Sequence, residues 1–139
     1  MSPEALSRRI LRLDGGFLVL AGGAAMILET VGHFFGVGPF AQTKGSPYTI
    51  GGFEAHGLAI IFAILFIHAA GLADRILWHR VGLFVHLLLG GSSLLYWSSF
   101  VQLNVIAMGM MTTVLHVGFV GAHWICLSDS RKREVKVES

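Results

Sequence analysis

Four histidines in two matched pairs are the residues best equipped for chemistry in this chain: His79 and His86 in HRVGLFVH, His116 and His123 in HVGFVGAH. Imidazole changes charge near neutral pH and is a common ligand for metal ions and haem iron. Seven residues is nearly two helical turns, so each pair lies on one helix face, about 10 Å apart along the axis. If the two helices run antiparallel, His79 falls level with His123 and His86 level with His116. A second group, Glu29, His33, Glu54 and His56, comes earlier in the chain, with His68 between the two groups. Glu29 and His33 are four residues apart and share a helix face, which makes them natural partners.

Three chemistries are open to these residues. The first is ligation. His86 and His116, with His68 at similar depth, are candidates to bind one haem b, and Glu29, His33 and His56 offer a mixed shell for a divalent metal. The seven-residue spacing is too short for two macrocycles stacked across a helical bundle. The second is proton-coupled movement of a small molecule, for which a carboxylate flanked by histidines is the usual equipment. The third is acid-base catalysis on a lipid-soluble substrate such as a quinone or isoprenoid, with Glu29 or Glu54 as acid and a histidine such as His33 as base. A non-catalytic accessory subunit of a larger membrane complex is the remaining reading. In that case His79 and His123, close to Arg80 and Trp124, simply meet lipid headgroups.

The elements that must hold these groups are membrane spans. Of the 139 residues 54% are hydrophobic and 13% charged, and the mean hydropathy is +0.71, whereas a soluble domain carries about a quarter charged residues. Apolar runs at about 15–37, 53–72, 81–97 and 105–127 read as four spans of a single domain, followed by a solvated tail at 128–139. Short connections between them imply an all-α, up-down-up-down four-helix bundle. Pro3, Pro39 and Pro47 all lie outside the runs. A signal peptide is the other reading of the basic start, but the apolar run exceeds a signal core, so an uncleaved anchor is expected. The single cysteine, Cys126, excludes an intrachain disulfide and a cysteine-based zinc site.

Charge sets the orientation. Arg8, Arg9, Arg12, Arg75, Arg80, Arg131, Lys132, Arg133 and Lys136 fall on one side and Lys44 alone on the other, which puts both termini in the cytoplasm. Topology thus accounts for the basic residues, and no nucleic-acid partner is expected. Each helix carries one stripe of small and polar residues suited to the bundle interior. The stripes are Gly15, Gly22, Glu29, His33 and Gly36 in the first span and Glu54, Gly57, Ile61 and His68 in the second, with His56 pointing away. In the third and fourth they run through His79, His86 and Gly90, and through Gly109, Thr112, His116 and His123.

The order of elements resembles the DoxX-like small four-helix membrane proteins of bacteria, through RRILRLDGG entering the first span and HLLLGGSSLLYWSSF at His86 to Phe100. That resemblance implies a multi-pass inner-membrane protein, sometimes associated with quinone-linked oxidation of small sulfur compounds or with redox homeostasis. It assigns no role to any single residue, because no motif matches residue by residue. The partners expected are the lipid bilayer, a quinone or other lipid-soluble molecule, and further copies of the chain or a larger membrane complex.

Overall fold

The fold begins with a capped helix. Ser2 Oγ accepts a hydrogen bond from the Ala5 amide at 3.2 Å, Pro3 occupies the first turn and Glu4 supplies a negative charge there. Each of these favours a helix start. Helix α1 therefore runs from Pro3 to Phe35, and the basic segment before residue 15 belongs to it. Gly36, at φ 66°, ends it in the left-handed conformation that glycine tolerates best. The computed structural model describes residues 1–137, with side chains described through Ser130. Among these residues there are five α-helices and no strand: α1, then α2 (Thr49–Ala69), α3 (Ile76–Leu95), the short α4 (Trp97–Gln102) and α5 (Ile106–Val137).

Two of the sequence boundaries move. The turn expected after Trp97 is largely the helix α4, and α5 runs on to Val137 where a tail was expected beyond 127. The side chains of Arg131, Lys132, Arg133 and Lys136, counted in the charge asymmetry, lie outside the described residues. Three helical segments are long and apolar enough to cross a membrane, namely α1, α2 and residues Ile106–Ser130 of α5. Much of the outer surface is apolar as well, with Leu20, Ile64, Leu88 and Val114 all exposed.

Helices pack as antiparallel pairs. Gly15 of α1 meets α2 so closely that a Cβ there would stand 2.6 Å from Ile67 Cγ1, while Gly22 lies against His56 and Ala59. Leu11, Leu18, Ala59, Ala63, Phe66, Ala69 and Ala70 form the buried apolar core along this contact. The face that α2 turns inward is thus Ala59, Ala63 and Phe66. Glu54, Ile61 and His68, expected on its interior stripe, are exposed. The reason is physical: α2 is apolar all round, so its sequence periodicity marks no face, and the close glycine contacts of α1 select the small alanines. In the other pair, Gly82 and Gly90 of α3 accept the side chains of His123 and His116 from α5. Small residues let two helix backbones approach in this way.

Candidate functional site

The two helix pairs meet at Asp14. Its carboxylate is completely buried, with Oδ1 2.8 Å from His86 Nε2 and Oδ2 2.8 Å from His123 Nε2. One acidic side chain of α1 thereby joins α3 to α5. Each imidazole has a second imidazole behind it: His116 Nδ1 lies 2.8 Å from His86 Nδ1, and His79 Nδ1 lies 2.8 Å from His123 Nδ1. His79 therefore stands opposite His123, and His86 opposite His116, in the register implied by the two sequence pairs. Beyond His79 the chain continues to Ser7 Oγ, 2.7 Å from its Nε2, and Ser7 accepts from Arg75 Nε at 3.2 Å.

The direction of every hydrogen bond follows from the centre. An ionised carboxylate only accepts, so His86 and His123 both donate Nε2–H groups to Asp14, and with one proton per ring each leaves its Nδ1 without one. Their Nδ1 atoms are then bare and accept from His116 and His79. His79 Nε2 is bare in turn and accepts the Ser7 hydroxyl proton. All donors point toward Asp14, so the carboxylate is held by two charge-assisted hydrogen bonds within a buried network. Aromatic rings enclose it, with Phe119 stacked on His86 at 4.9 Å between centroids and Phe17 edge-on to His116 at 5.5 Å.

Two cavities touch the ends of this chain. A cleft of ≈ 290 Å³ lies where the start of α1, the α2–α3 connection and residues 126–130 of α5 meet, and His79, Ser7 and Arg75 line it. At the other end, a cavity of ≈ 410 Å³ is lined by His116, Phe17, Gly22, Leu89 and Phe100 and extends to Glu29 and His56. His116 Nε2 makes no hydrogen bond, and no buried side-chain nitrogen or oxygen among the described residues lacks a partner. His116 Nε2 is therefore the accessible end of the chain, open to the larger cavity.

The remaining sequence candidates distribute differently. Glu29 pairs with His56 at 3.2 Å and not with His33, whose Nδ1 instead meets Thr49 Oγ1 at 2.8 Å. The turn after α1 brings Thr49 over His33, while Glu29 faces α2 one turn further in. His68 and Glu54 are exposed and join neither group. His79 and His123, 2% and 0% exposed, lie inside the protein and not at a headgroup surface. The residue that sequence reasoning missed is Asp14. Its signal was a lone acid among Arg8, Arg9 and Arg12, seven residues after Ser7 and hence on the same face of a helix that starts at Pro3.

Asp14, His86 and His123 together could hold a metal ion, since one ligand atom from each lies within 4.8 Å of the others and all three residues are buried. Two imidazoles and a carboxylate suit zinc, iron or manganese. Outer histidines on both ligand imidazoles supply the hydrogen bonds that orient such ligands. The facing pair His86 and His116 is packed at 2.8 Å, nitrogen to nitrogen, whereas two imidazoles sharing one iron stand about 4 Å apart at metal–nitrogen bonds of about 2 Å. No family model, curated protein or solved structure matches the chain.

Proposed function

We propose that this chain is a four-span inner-membrane protein with both termini in the cytoplasm, and that Asp14, His86 and His123 hold a divalent first-row metal ion in its interior. The observation that carries the reading is the convergence of three buried ligand atoms from three helices within 4.8 Å. Placing a carboxylate and four imidazoles away from water is costly, and such groups mark functional sites in membrane segments. The mouth supports an entry route: three carboxylates, Glu4, Asp74 and Asp129, line with one cation, Arg75, the cleft that ends at His79. A bound ion would supply Lewis-acid or one-electron chemistry. The redox association implied by the DoxX-like layout favours iron over zinc. Partners within this reading are the bilayer and a lipid-soluble molecule, such as a quinone, in the larger cavity.

The test is elemental analysis of the detergent-purified protein, followed by absorption spectroscopy after exchange with cobalt(II). About one ion per chain is expected, with d–d bands lost in Asp14→Ala and kept in the exposed control His68→Ala. A folded wild-type protein that retains no stoichiometric ion and shows no cobalt bands would end the proposal.

One observation favours a second reading. The hydrogen bonds run unbroken from the cleft at Ser7 through Asp14 to His116 at the larger cavity. Because both arms donate toward Asp14, a proton entering at either mouth moves bond by bond to the carboxylate, reversing the arm behind it. Asp14 is then a proton store reached from two sides. Passage from one mouth to the other also requires one arm to reset by ring rotation. Proton uptake by proteoliposomes that is unchanged in His79→Phe would exclude this role.

A further inference from the structure

We infer that the ≈ 410 Å³ cavity bounded by His116 and the Glu29–His56 pair is a binding site for a lipid-soluble molecule with a hydroxyl head, a phenol or related alcohol, whose O–H donates to His116 Nε2. The inference concerns the chain without metal at Asp14, the state in which His116 Nε2 is bare.

The cavity's volume, lining and length, with the unpartnered nitrogen of His116, carry it. The cavity volume falls within the range of small-molecule sites, about 300–1,000 Å³. Its walls are mainly apolar and aromatic, including Phe17, Leu28, Phe40, Phe100 and Met108. The hydroxyls of Ser92, Ser93 and Thr112 on its wall are already committed to carbonyls of their own helices. His116, 8% exposed, thus presents an unpartnered nitrogen to a mainly apolar space whose other polar groups are Ser99 and the Glu29–His56 pair. The hydrogen-bond direction imposed by Asp14 makes that nitrogen an acceptor, so the matching ligand group is a donor. Phe17, its ring centroid 5.5 Å from that of His116, offers aromatic surface near the head. From Phe17 to Glu29 the cavity follows twelve residues of α1, about 18 Å at 1.5 Å per residue. That length suits a ring with an extended apolar tail.

The experiment compares 4-octylphenol with its methyl ether, which has the same shape but no proton to donate. Binding to the chelator-washed full-length protein in detergent is followed by isothermal titration calorimetry. The phenol should bind about tenfold tighter than the ether, and His116→Phe should abolish that preference while leaving ether affinity in place. Ala25→Phe narrows the cavity wall without touching the imidazole network, and should reduce binding of both ligands at least tenfold. Equal affinity of phenol and ether in the wild type would show that the cavity accepts apolar chains without reading a head group, and would overturn the inference. So would a phenol preference that persists in His116→Phe, or binding of both ligands unaffected by Ala25→Phe. Absence of metal at Asp14 would leave all these expectations standing.

Discussion

The ring of His123 lies directly over Gly82, so that a Cβ at residue 82 would stand 2.6 Å from Cε1 and 2.9 Å from Cδ2 of the imidazole. Glycine at this point of α3 is what lets a histidine of α5 reach Asp14. Replacing it tests the geometry of the centre without altering any of its polar groups.

Gly82→Ala is expected to destabilise the protein by about 1–3 kcal/mol, the usual cost of overpacking. Gly118→Ala, with nothing within 4 Å of the new methyl, should be neutral or stabilising by up to about 1 kcal/mol through helix propensity. Thermal unfolding in detergent separates the two. Equal effects would mean that the α3–α5 contact is looser than described.

Asp14→Ala removes the acceptor for two buried N–H groups and should cost about 3–5 kcal/mol, as for breaking a buried charged pair. Asp14→Asn should be distinctly milder. An amide accepts from one imidazole with its oxygen and donates to the other with its nitrogen, provided one arm reverses its tautomers. Melting temperatures that rank asparagine with alanine would argue against a network able to reverse.

Metal binding predicts a reversal of both arms. A metal on Nε2 of His86 and His123 requires their protons on Nδ1, which must then donate outward to His116 and His79. His116 Nε2, bare without metal, then carries a proton. Nitrogen-15 spectra of histidine-labelled protein should show His116 switching from the Nδ1–H to the Nε2–H tautomer on zinc addition. A spectrum in which zinc shifts only exposed histidines such as His68 would place the ion elsewhere.

Glu29 and His56 pair at 3.2 Å with side chains 16% and 31% exposed, a far less enclosed pair than those made by Asp14. Glu29→Gln should therefore change stability by less than about 1 kcal/mol, far less than Asp14→Ala. His33→Ala should leave the Glu29–His56 pair intact. A double-mutant cycle on the denaturation midpoint checks both statements.

Orientation is tested by single cysteines in a Cys126→Ser background. On the proposed topology of four spans with both termini inside, Ser46→Cys in the α1–α2 loop should react with an impermeant maleimide in intact cells. Ser2→Cys should react only after the membrane is opened. The reverse pattern would invert the topology.

Much of the framework was legible in local sequence. Apolar runs and clustered basic residues indicated helices for a membrane, and the seven-residue histidine spacing set the register of His79 with His123 and of His86 with His116. These follow from properties that neighbours along one helix share. The α2 face was not legible, because a helix apolar on every side has no direction until its partner is known. Nor was the pairing of Glu29, since His33 and His56 were both within plausible reach and only the turn at Thr49 removed one of them.

Asp14 marks the limit most clearly. Its own sequence neighbourhood, basic and close to the terminus, reads as a tail at a membrane surface. Its partners lie 72 and 109 residues away. Chain chemistry by itself determined that imidazoles would line helices in an apolar setting. Only tertiary packing decided that they converge on a carboxylate, because a buried charge must be met by donors and those donors come from other helices. Glycines at 82 and 90 give the imidazoles of α5 the room to arrive.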